Sequence, residues 1–167
     1  GKTLPESTVP QIRIRKNRNL GGAGGFTRGI MESLRDEKFQ ATHIVLMDDD
    51  AITKPHVLER TWRFLKLLKD EYSQYTISGA LLNQEFPYIQ FESGAQWNQG
   101  KVKILKNQLD LREIDALLWN ECETDPIEYS GWWYSCIPVG VIRKIGLPLP
   151  LFVHRDDVEY GLRMERK

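Results

Sequence analysis

The chain has 167 residues, of which 41% are hydrophobic and 28% are charged, and its formal net charge is +0. This composition is typical of a globular domain with a real core and excludes a disordered chain. Without a basic excess, no nucleic-acid partner is expected. Cys122 and Cys136 have neither the spacing of a zinc site nor the density of a disulfide scaffold, which favours a reducing compartment.

The ends of the chain suggest that it is part of a longer protein. It starts in polar coil without an initiating Met, and it stops at Lys167 inside a predicted helix. No apolar run approaches the roughly 20 residues of a membrane helix. We therefore expect a piece excised from a larger protein that does not span a membrane here.

The N-terminal part contains a glycine-rich segment. Residues 11–15 alternate polar and apolar side chains, which predicts a short strand. Four of the five residues 21–25 are glycine, and a helix is predicted from Phe26 to Phe39. A glycine loop before a helix N-terminus is a good phosphate site, but it is also an ordinary tight turn.

The next segment is a short apolar run that ends in three carboxylates. Ile44 to Met47 are all apolar, which predicts a strand buried on both faces, and Asp48, Asp49 and Asp50 follow directly. Ligands of open α/β sheets bind beyond the carboxyl ends of strands. Three adjacent acids favour a hard divalent cation that carries phosphate oxygens. The alternative is a solvated acidic turn that caps the following helix.

The middle of the chain is predicted to form structural elements without a direct role in function. A helix is predicted from Thr53 and Pro55, with an apolar stripe along one face, and a buried strand is predicted over residues 76–82. Residues 88–106 predict a β-hairpin that turns at residues 98–100. The pattern of residues 107–125 gives no clear assignment.

The last third carries adjacent tryptophans and a second acidic cluster. Trp132 and Trp133 should point to opposite sides of an extended segment, so at least one should face solvent or line a cleft. A short helix is predicted from Pro138 to Ile145. A final helix opens at Asp156, with Asp157 facing the cleft and Asp156 on another face, beside Arg163. The simpler interpretation makes both acids first-turn residues that complement the helix dipole.

Four motifs in this order resemble those of the family-two glycosyltransferases with the GT-A fold, in particular the bacterial galactofuranosyl- and rhamnosyltransferase-like enzymes. The motifs are Asn19-Leu20-Gly21-Gly22-Ala23-Gly24-Gly25-Phe26, Leu46-Met47-Asp48-Asp49-Asp50, Gly131-Trp132-Trp133 and Asp156-Asp157-Val158-Glu159-Tyr160-Gly161-Leu162-Arg163. The resemblance implies an α/β, Rossmann-like nucleotide-diphospho-sugar transferase fold, with a mostly parallel sheet and flanking helices. Residues 1–167 would be a single, partial catalytic domain.

The resemblance also implies a role for each motif. Asp48 and Asp50 would form the DxD element that holds Mn²⁺ or Mg²⁺, and Asp157 would be the general base. Asp156 belongs to the same catalytic motif, and its place on another face of the helix favours a structural role. Trp132 and Trp133 would lie near the sugar and the acceptor. The implied donor site comprises Gly24, Gly25, Arg28, Asp48, Asp49 and Asp50.

The implied reaction is a single displacement with inversion. A sugar, with galactofuranose and rhamnose as the leading candidates, would move from a UDP- or dTDP-linked donor to a glycan or lipid-linked glycan. The expected location is the cytoplasm, with membrane association only through regions outside the chain. The strands that bind the nucleobase would precede Gly1, and a further histidine ligand would follow Lys167, so the isolated 167 residues should show little activity.

Two other functions fit some of the same residues. A phosphatase of the haloacid-dehalogenase type also has a buried strand that ends in Asp-x-Asp, with Asp48 as nucleophile and Asp50 as its acid/base partner. A sugar-nucleotide-binding module without turnover is the third possibility. Labelling by a phosphate mimic would favour the phosphatase, and metal-dependent affinity for a nucleoside diphosphate would favour the other two.

Overall fold

The computed structural model of the chain describes residues 7–122 and 125–166. The described elements are five α-helices, eight short strands and one short 3₁₀ helix (Asp70–Tyr72). The helices are α1 (Gly21–Arg35), α2 (Pro55–Leu67), α3 (Ile114–Glu121), α4 (Val139–Ile145) and α5 (Asp156–Glu165). The strands are β1 (His43–Leu46), β2 (Ile77–Ser78), β3 (Leu81–Leu82), β4 (Ile89–Glu92), β5 (Ala95–Asn98), β6 (Lys101–Ile104), β7 (Leu109–Asp110) and β8 (Ser135–Pro138).

The strand pairing corrects the expectation of a mostly parallel sheet. The described strands form three small sheets in the orders β1-β8-β2, β3-β4-β7 and β5-β6, and their pairs are antiparallel. In the first sheet β1 and β2 flank β8, so they run in the same direction without pairing. The α2 crossover does return the chain parallel to β1. The distant β8 then lies between the two strands in the opposite direction.

The strand predicted over residues 76–82 is divided between two sheets. β2 pairs with β8, whereas β3 pairs with β4, and the change occurs at Gly79 and Ala80. The Gly79 N–H donates to the Tyr134 carbonyl at 3.0 Å, and a Cβ on Gly79 would lie 3.1 Å from Tyr134 Cβ. Gly79 therefore packs closely against Tyr134.

Other local predictions are confirmed in part. The predicted hairpin is β5–β6, with Gln99 and Gly100 at positive φ in its turn, but the preceding β4 pairs with β3 and β7. α2 begins at Pro55 as predicted, although none of its residues is buried. Residues 11–15 form no strand, and the unassigned region 107–125 includes α3.

Helix α1 begins five residues earlier than predicted, inside the glycine-rich segment. Gly21 has φ +74°, and a Cβ there would lie only 1.7 Å from the Phe152 carbonyl oxygen. The glycines thus form the first turn of the helix and admit the backbone of the segment before α5. This close approach brings two distant parts of the chain together at one helix end.

The main core lies between α1, the first sheet and the two C-terminal helices. It consists of Ile30, Ile44, Leu46, Trp132, Ile137, Val139, Ile142, Ile145 and Tyr160. A smaller cluster of Ala95, Tyr129 and Val158, with Trp97 and Leu162 packed on it, joins the β5–β6 hairpin to α5. Both clusters include residues of α5, Tyr160 in the first and Val158 in the second, so packing in both determines the position of this helix.

No helix in the described part of the chain has the length and apolar character needed to cross a membrane.

Two helical glycines provide a matched test of this packing. A Cβ on Gly161 would lie 2.3 Å from Tyr129 Cβ, whereas a Cβ on Gly29 would meet no atom within 4 Å. Gly161→Ala should therefore lower the free energy of unfolding by about 1–3 kcal/mol through overpacking. Gly29→Ala should raise it by about 1 kcal/mol through helix propensity.

Urea denaturation of both variants measures the difference. Equal effects of the two substitutions would contradict the direct contact between α5 and Tyr129.

Candidate active site

The two acidic motifs meet at one small cavity. The end of β1, the first turn of α1 and the start of α5 enclose about 240 Å³. The lining side chains and glycine are Gly22, Phe26, Asp48, Trp132, Val153, His154, Arg155, Asp156 and Asp157. Residues that are about 100 positions apart in the sequence therefore share one cleft, as the predicted strand end and helix start suggested.

Asp48 is the acid of its motif that lies in this cavity. Its side chain is half-buried, whereas Asp49 and Asp50 are exposed. Burial raises the pKa of Asp48 above its ordinary value, and the charges of Asp50 and Asp157 raise it further. The carboxylates of the two motifs are thus close enough to repel, which is the electrostatic setting of a cation site.

Asp157 lies on the opposite wall, in the first turn of α5. Burial raises the pKa of its carboxyl, against the hydrogen bond that the Val158 N–H donates to its Oδ1 at 2.7 Å. The neighbouring Asp156 raises the pKa further. A carboxylate with a raised pKa is a better proton acceptor than an ordinary exposed aspartate.

Asp156 faces the first turn of α1. A Cβ on Gly22 would lie 3.0 Å from Asp156 Oδ2, so the glycine makes room for this carboxylate. The N-terminal end of a helix is electrostatically favourable for an anion. The predicted neighbour Arg163 instead binds Glu159, with Nε 2.6 Å from Oε1. Asp156 therefore contacts the glycine motif and not the arginine of its own helix.

The middle and the last turn of α5 are held by polar contacts to the end of α4 and the residues that follow it. Arg163 donates to the Ile145 carbonyl at 2.7 Å and to the Leu147 carbonyl at 3.0 Å. The Tyr160 hydroxyl donates to the Gly146 carbonyl at 2.9 Å. These bonds fix the rotation of α5 and hence the direction in which its first-turn acids point.

The two tryptophans have different environments. Trp132 is 3% exposed, lies in the core between Phe26 and Tyr160 in edge-to-face contacts, and also lines the cavity. Trp133 is half-buried, its ring covers Gly131, and its Nε1–H donates to the Gly79 carbonyl at 2.7 Å. Only Trp132 therefore belongs to the wall of this cavity.

The predicted donor-binding residues are divided between two cavities. Gly25 and Arg28 line a second cavity of about 530 Å³ between α1 and residues 11–17. There Arg28 forms an ion pair with Glu32 at 2.9 Å. Gly24 lies against Leu20, since a Cβ on it would meet Leu20 Cβ at 2.4 Å. The glycine that does contact the acid cluster is Gly22.

The acids fit a cation that brings other ligands with it. Among residues 7–122 and 125–166, no group of three or more His, Cys, Asp or Glu side chains is arranged to hold a metal ion. Mg²⁺ commonly uses only one or two carboxylates and completes its shell with water and substrate phosphate oxygens. Asp48 lines the cavity, and the charge of Asp50, two residues further on, raises the pKa of Asp48.

Glu92 is a buried acid that the sequence pattern did not indicate, and it does not line the cavity. It is 7% exposed at the end of β4, and burial raises its pKa to about 7, with a further contribution from the charge of Asp157. In β4 the polar Gln90 and Glu92 face inward, and Phe91 faces outward. The alternation itself is visible in the sequence, but it would place Ile89 and Phe91 inside, so only the structure shows that the polar face of β4 is buried.

Comparisons with known proteins identify the family. The chain belongs to the glycosyltransferase-like family 2, whose model matches residues 6–167. Membership of this family implies the GT-A fold and places the chain among glycosyltransferase domains. The match includes both acidic motifs and favours a transferase over the phosphatase alternative.

Two curated relatives are galactofuranosyltransferases. The chain is 29% identical over 176 residues to galactofuranosyltransferase GlfT2 of Mycobacterium tuberculosis (strain ATCC 25618 / H37Rv). It is 28% identical over 168 residues to the protein of the same name from Mycolicibacterium smegmatis (strain ATCC 700084 / mc(2)155). In each case the alignment covers 92% of this chain and 25% of the relative, so the chain spans about a quarter of their length.

The pKa of Glu92 predicts a pH-dependent contribution to stability. This carboxyl has a pKa of about 7 in the fold against an ordinary 4.5, so the folded protein binds the additional proton between these values. The resulting stabilisation is complete below about pH 4.5 and is lost as the pH rises through about 7. The substitution Glu92→Gln removes this pH-dependent stabilisation, because a glutamine side chain does not bind a proton in this pH range.

The unfolding free energy of Glu92→Gln should therefore rise relative to wild type between pH 4.5 and 7, by at most about 1.4 kcal/mol per pH unit. Urea denaturation across this pH range measures it. The exposed Glu85→Gln is the control, and a constant difference between Glu92→Gln and wild type would refute the buried, proton-binding carboxyl.

Proposed function

We propose that this domain transfers a sugar from a nucleotide-sugar donor to a hydroxyl of a glycan or lipid-linked glycan, in a metal-dependent reaction with inversion. The observation that carries the proposal is the meeting of Asp48 and Asp157 in one cavity, where the charge of Asp157 contributes to the raised pKa of Asp48. A strand-end acid for the donor and a helix-start acid for the acceptor are the two groups that such a reaction requires.

Asp157 is the proposed general base. Its carboxylate accepts the proton of the acceptor hydroxyl while that oxygen attacks the anomeric carbon of the sugar. The bond between this carbon and the diphosphate breaks at the same time, so the products are the inverted glycoside, the nucleoside diphosphate and the protonated Asp157. The raised pKa of the carboxyl favours this transfer.

Asp48 and Asp50 are the proposed ligands of Mn²⁺ or Mg²⁺. When bound, the cation neutralises the charge that develops on the departing diphosphate. The two carboxylates would hold it at the end of β1, on the side of the cavity that faces Asp157. Asp156, against the first turn of α1, would keep the glycine motif and the start of α5 in register around the donor.

The donor sugar is proposed to be galactofuranose, with rhamnose as the second candidate, carried on UDP or dTDP. The first choice rests on the names of the two relatives, both galactofuranosyltransferases. Trp132 would contribute an aromatic surface to the sugar site, because it lines the same cavity as the acids. We place the reaction in the cytoplasm or at the cytoplasmic face of a membrane, where nucleotide sugars are available.

Asp157→Asn in the full-length protein that carries this domain should lower kcat by about 10² to 10⁴, the usual contribution of a general base. Donor binding should be nearly unchanged, because Asp157 acts on the acceptor. Release of nucleoside diphosphate and calorimetric titration measure the two quantities. Asp156→Asn is the matched neighbour and should affect mainly stability. A larger loss of kcat from Asp156→Asn, at an unchanged fold, would reverse the two roles.

Asp48→Asn and Asp50→Asn should each weaken metal-dependent binding of the nucleoside diphosphate. The loss at Asp49→Asn should be smaller, because alternate residues of an extended segment point to opposite sides. Titration with and without Mn²⁺ measures the metal-dependent part of the affinity. Equal losses at the three positions would instead indicate a general acidic patch and would remove the argument for a specific metal site.

A further inference from the structure

We propose that Arg155 is a positioning residue, which holds the start of α5 in its working orientation by stacking on Trp97 of the β5–β6 hairpin. This inference rests on the proposed function, because it concerns the orientation of the proposed base Asp157. Neither Arg155 nor the β5–β6 hairpin takes part in the proposed chemical step, and the inference gives both a role in positioning Asp157.

Arg155 occupies an unusual backbone conformation directly before the acids. It has φ +72° and ψ +18°, in the left-handed region that favours glycine. It is the residue that precedes α5, and its carbonyl accepts a hydrogen bond from the Glu159 N–H at 2.9 Å. The left-handed turn at Arg155 therefore sets the direction in which Asp156 and Asp157 leave the preceding loop.

The Arg155 side chain provides a contact that can maintain this conformation. Its guanidinium carbon lies 4.9 Å from the centroid of the Trp97 ring, within the range of a cation–π interaction. A glycine at this position would adopt the same φ without strain, but it would have no side chain to stack. Compared with glycine, arginine at this position has a less favourable backbone conformation, but its side chain contacts the β5–β6 hairpin.

Trp97 is itself held firmly. The backbone N–H of Trp97 donates to Glu128 Oε2 at 2.5 Å, and the indole ring packs on the buried cluster of Ala95, Tyr129 and Val158. Val158 directly follows Asp157. The β5–β6 hairpin therefore contacts the chain on both sides of Asp157: Arg155 lies two residues before it, and Val158 lies one residue after it.

The experiment measures kcat, KM for the donor and amide hydrogen exchange of the first turn of α5, all in the full-length protein. Arg155→Gln and Trp97→Leu should each lower kcat about 10-fold to 10²-fold, with little change in KM, because a displaced base slows the chemical step. Trp97→Phe and Arg155→Lys keep an aromatic face and a cation, and they should recover most of the loss. Because Trp97→Phe also keeps most of the packing, it separates stacking from loss of fold.

Two further variants make the test specific. Arg155→Gly should lose activity as Arg155→Gln does, although it relieves the backbone, and the double variant Arg155→Gln/Trp97→Leu should lose no more than either single variant. Trp62→Leu removes an exposed tryptophan that is also stacked by a cation, Lys66 at 5.6 Å on α2, and should leave kcat unchanged. Hydrogen exchange at the Glu159 amide should accelerate in Trp97→Leu and not in Trp62→Leu.

Three results would overturn the proposal. Full activity of Arg155→Gly would mean that only the backbone conformation matters. A raised KM at unchanged kcat in Arg155→Gln would make Arg155 a donor-binding residue. Independent, multiplicative losses in the double variant would separate Arg155 from Trp97. If the wild-type protein proved inactive with nucleotide sugars, the proposed function would fail, while the exchange measurement would still decide the role of the stack.

Discussion

Mutual repulsion of carboxylates is the constraint on which this structure depends. Asp48, Asp156 and Asp157 line one small cavity, and the charges of Asp50 and Asp157 disfavour ionisation of Asp48. Because like charges repel, such a group of acids stays together only if the elements that carry them are held rigidly. The fold keeps the acids together with core packing, backbone pairing and hydrogen bonds to carbonyls, while His154 and Arg155 line the same cavity.

The supports come from both sides of the cavity. On one side the backbone pairing of β1 with β8 fixes the strand that ends in Asp48. On the other side the Tyr160 hydroxyl and the Arg163 guanidinium bind carbonyls at the end of α4, and Arg163 is paired with Glu159 on its own helix. Between them, Gly21 and Gly22 allow the loop before α5 to lie against the first turn of α1.

Features that depend on neighbouring residues were predictable from the sequence, and features that depend on distant contacts were not. The apolar run into Asp48, the hairpin turn at Gln99 and Gly100 and the end of α4 at Gly146 all follow from local patterns. The position of β8 between β1 and β2 depends on a partner far along the chain. The early start of α1 depends on the Phe152 carbonyl. Glu92 was missed because its strand is polar inside and apolar outside, contrary to the usual alternation.

The long-range pairing of β1 with β8 also orders events during folding. Leu46 and Ser135 are partners although about ninety residues separate them, whereas β5 and β6 are joined by a two-residue turn. Closing a long loop costs more entropy than closing a short one, so pairings between distant segments slow folding. The hairpin and the individual helices involve only short loops. We therefore expect the two acidic motifs to come together, and their carboxylates to repel, only where β1 and β8 pair and the core packing opposes the repulsion.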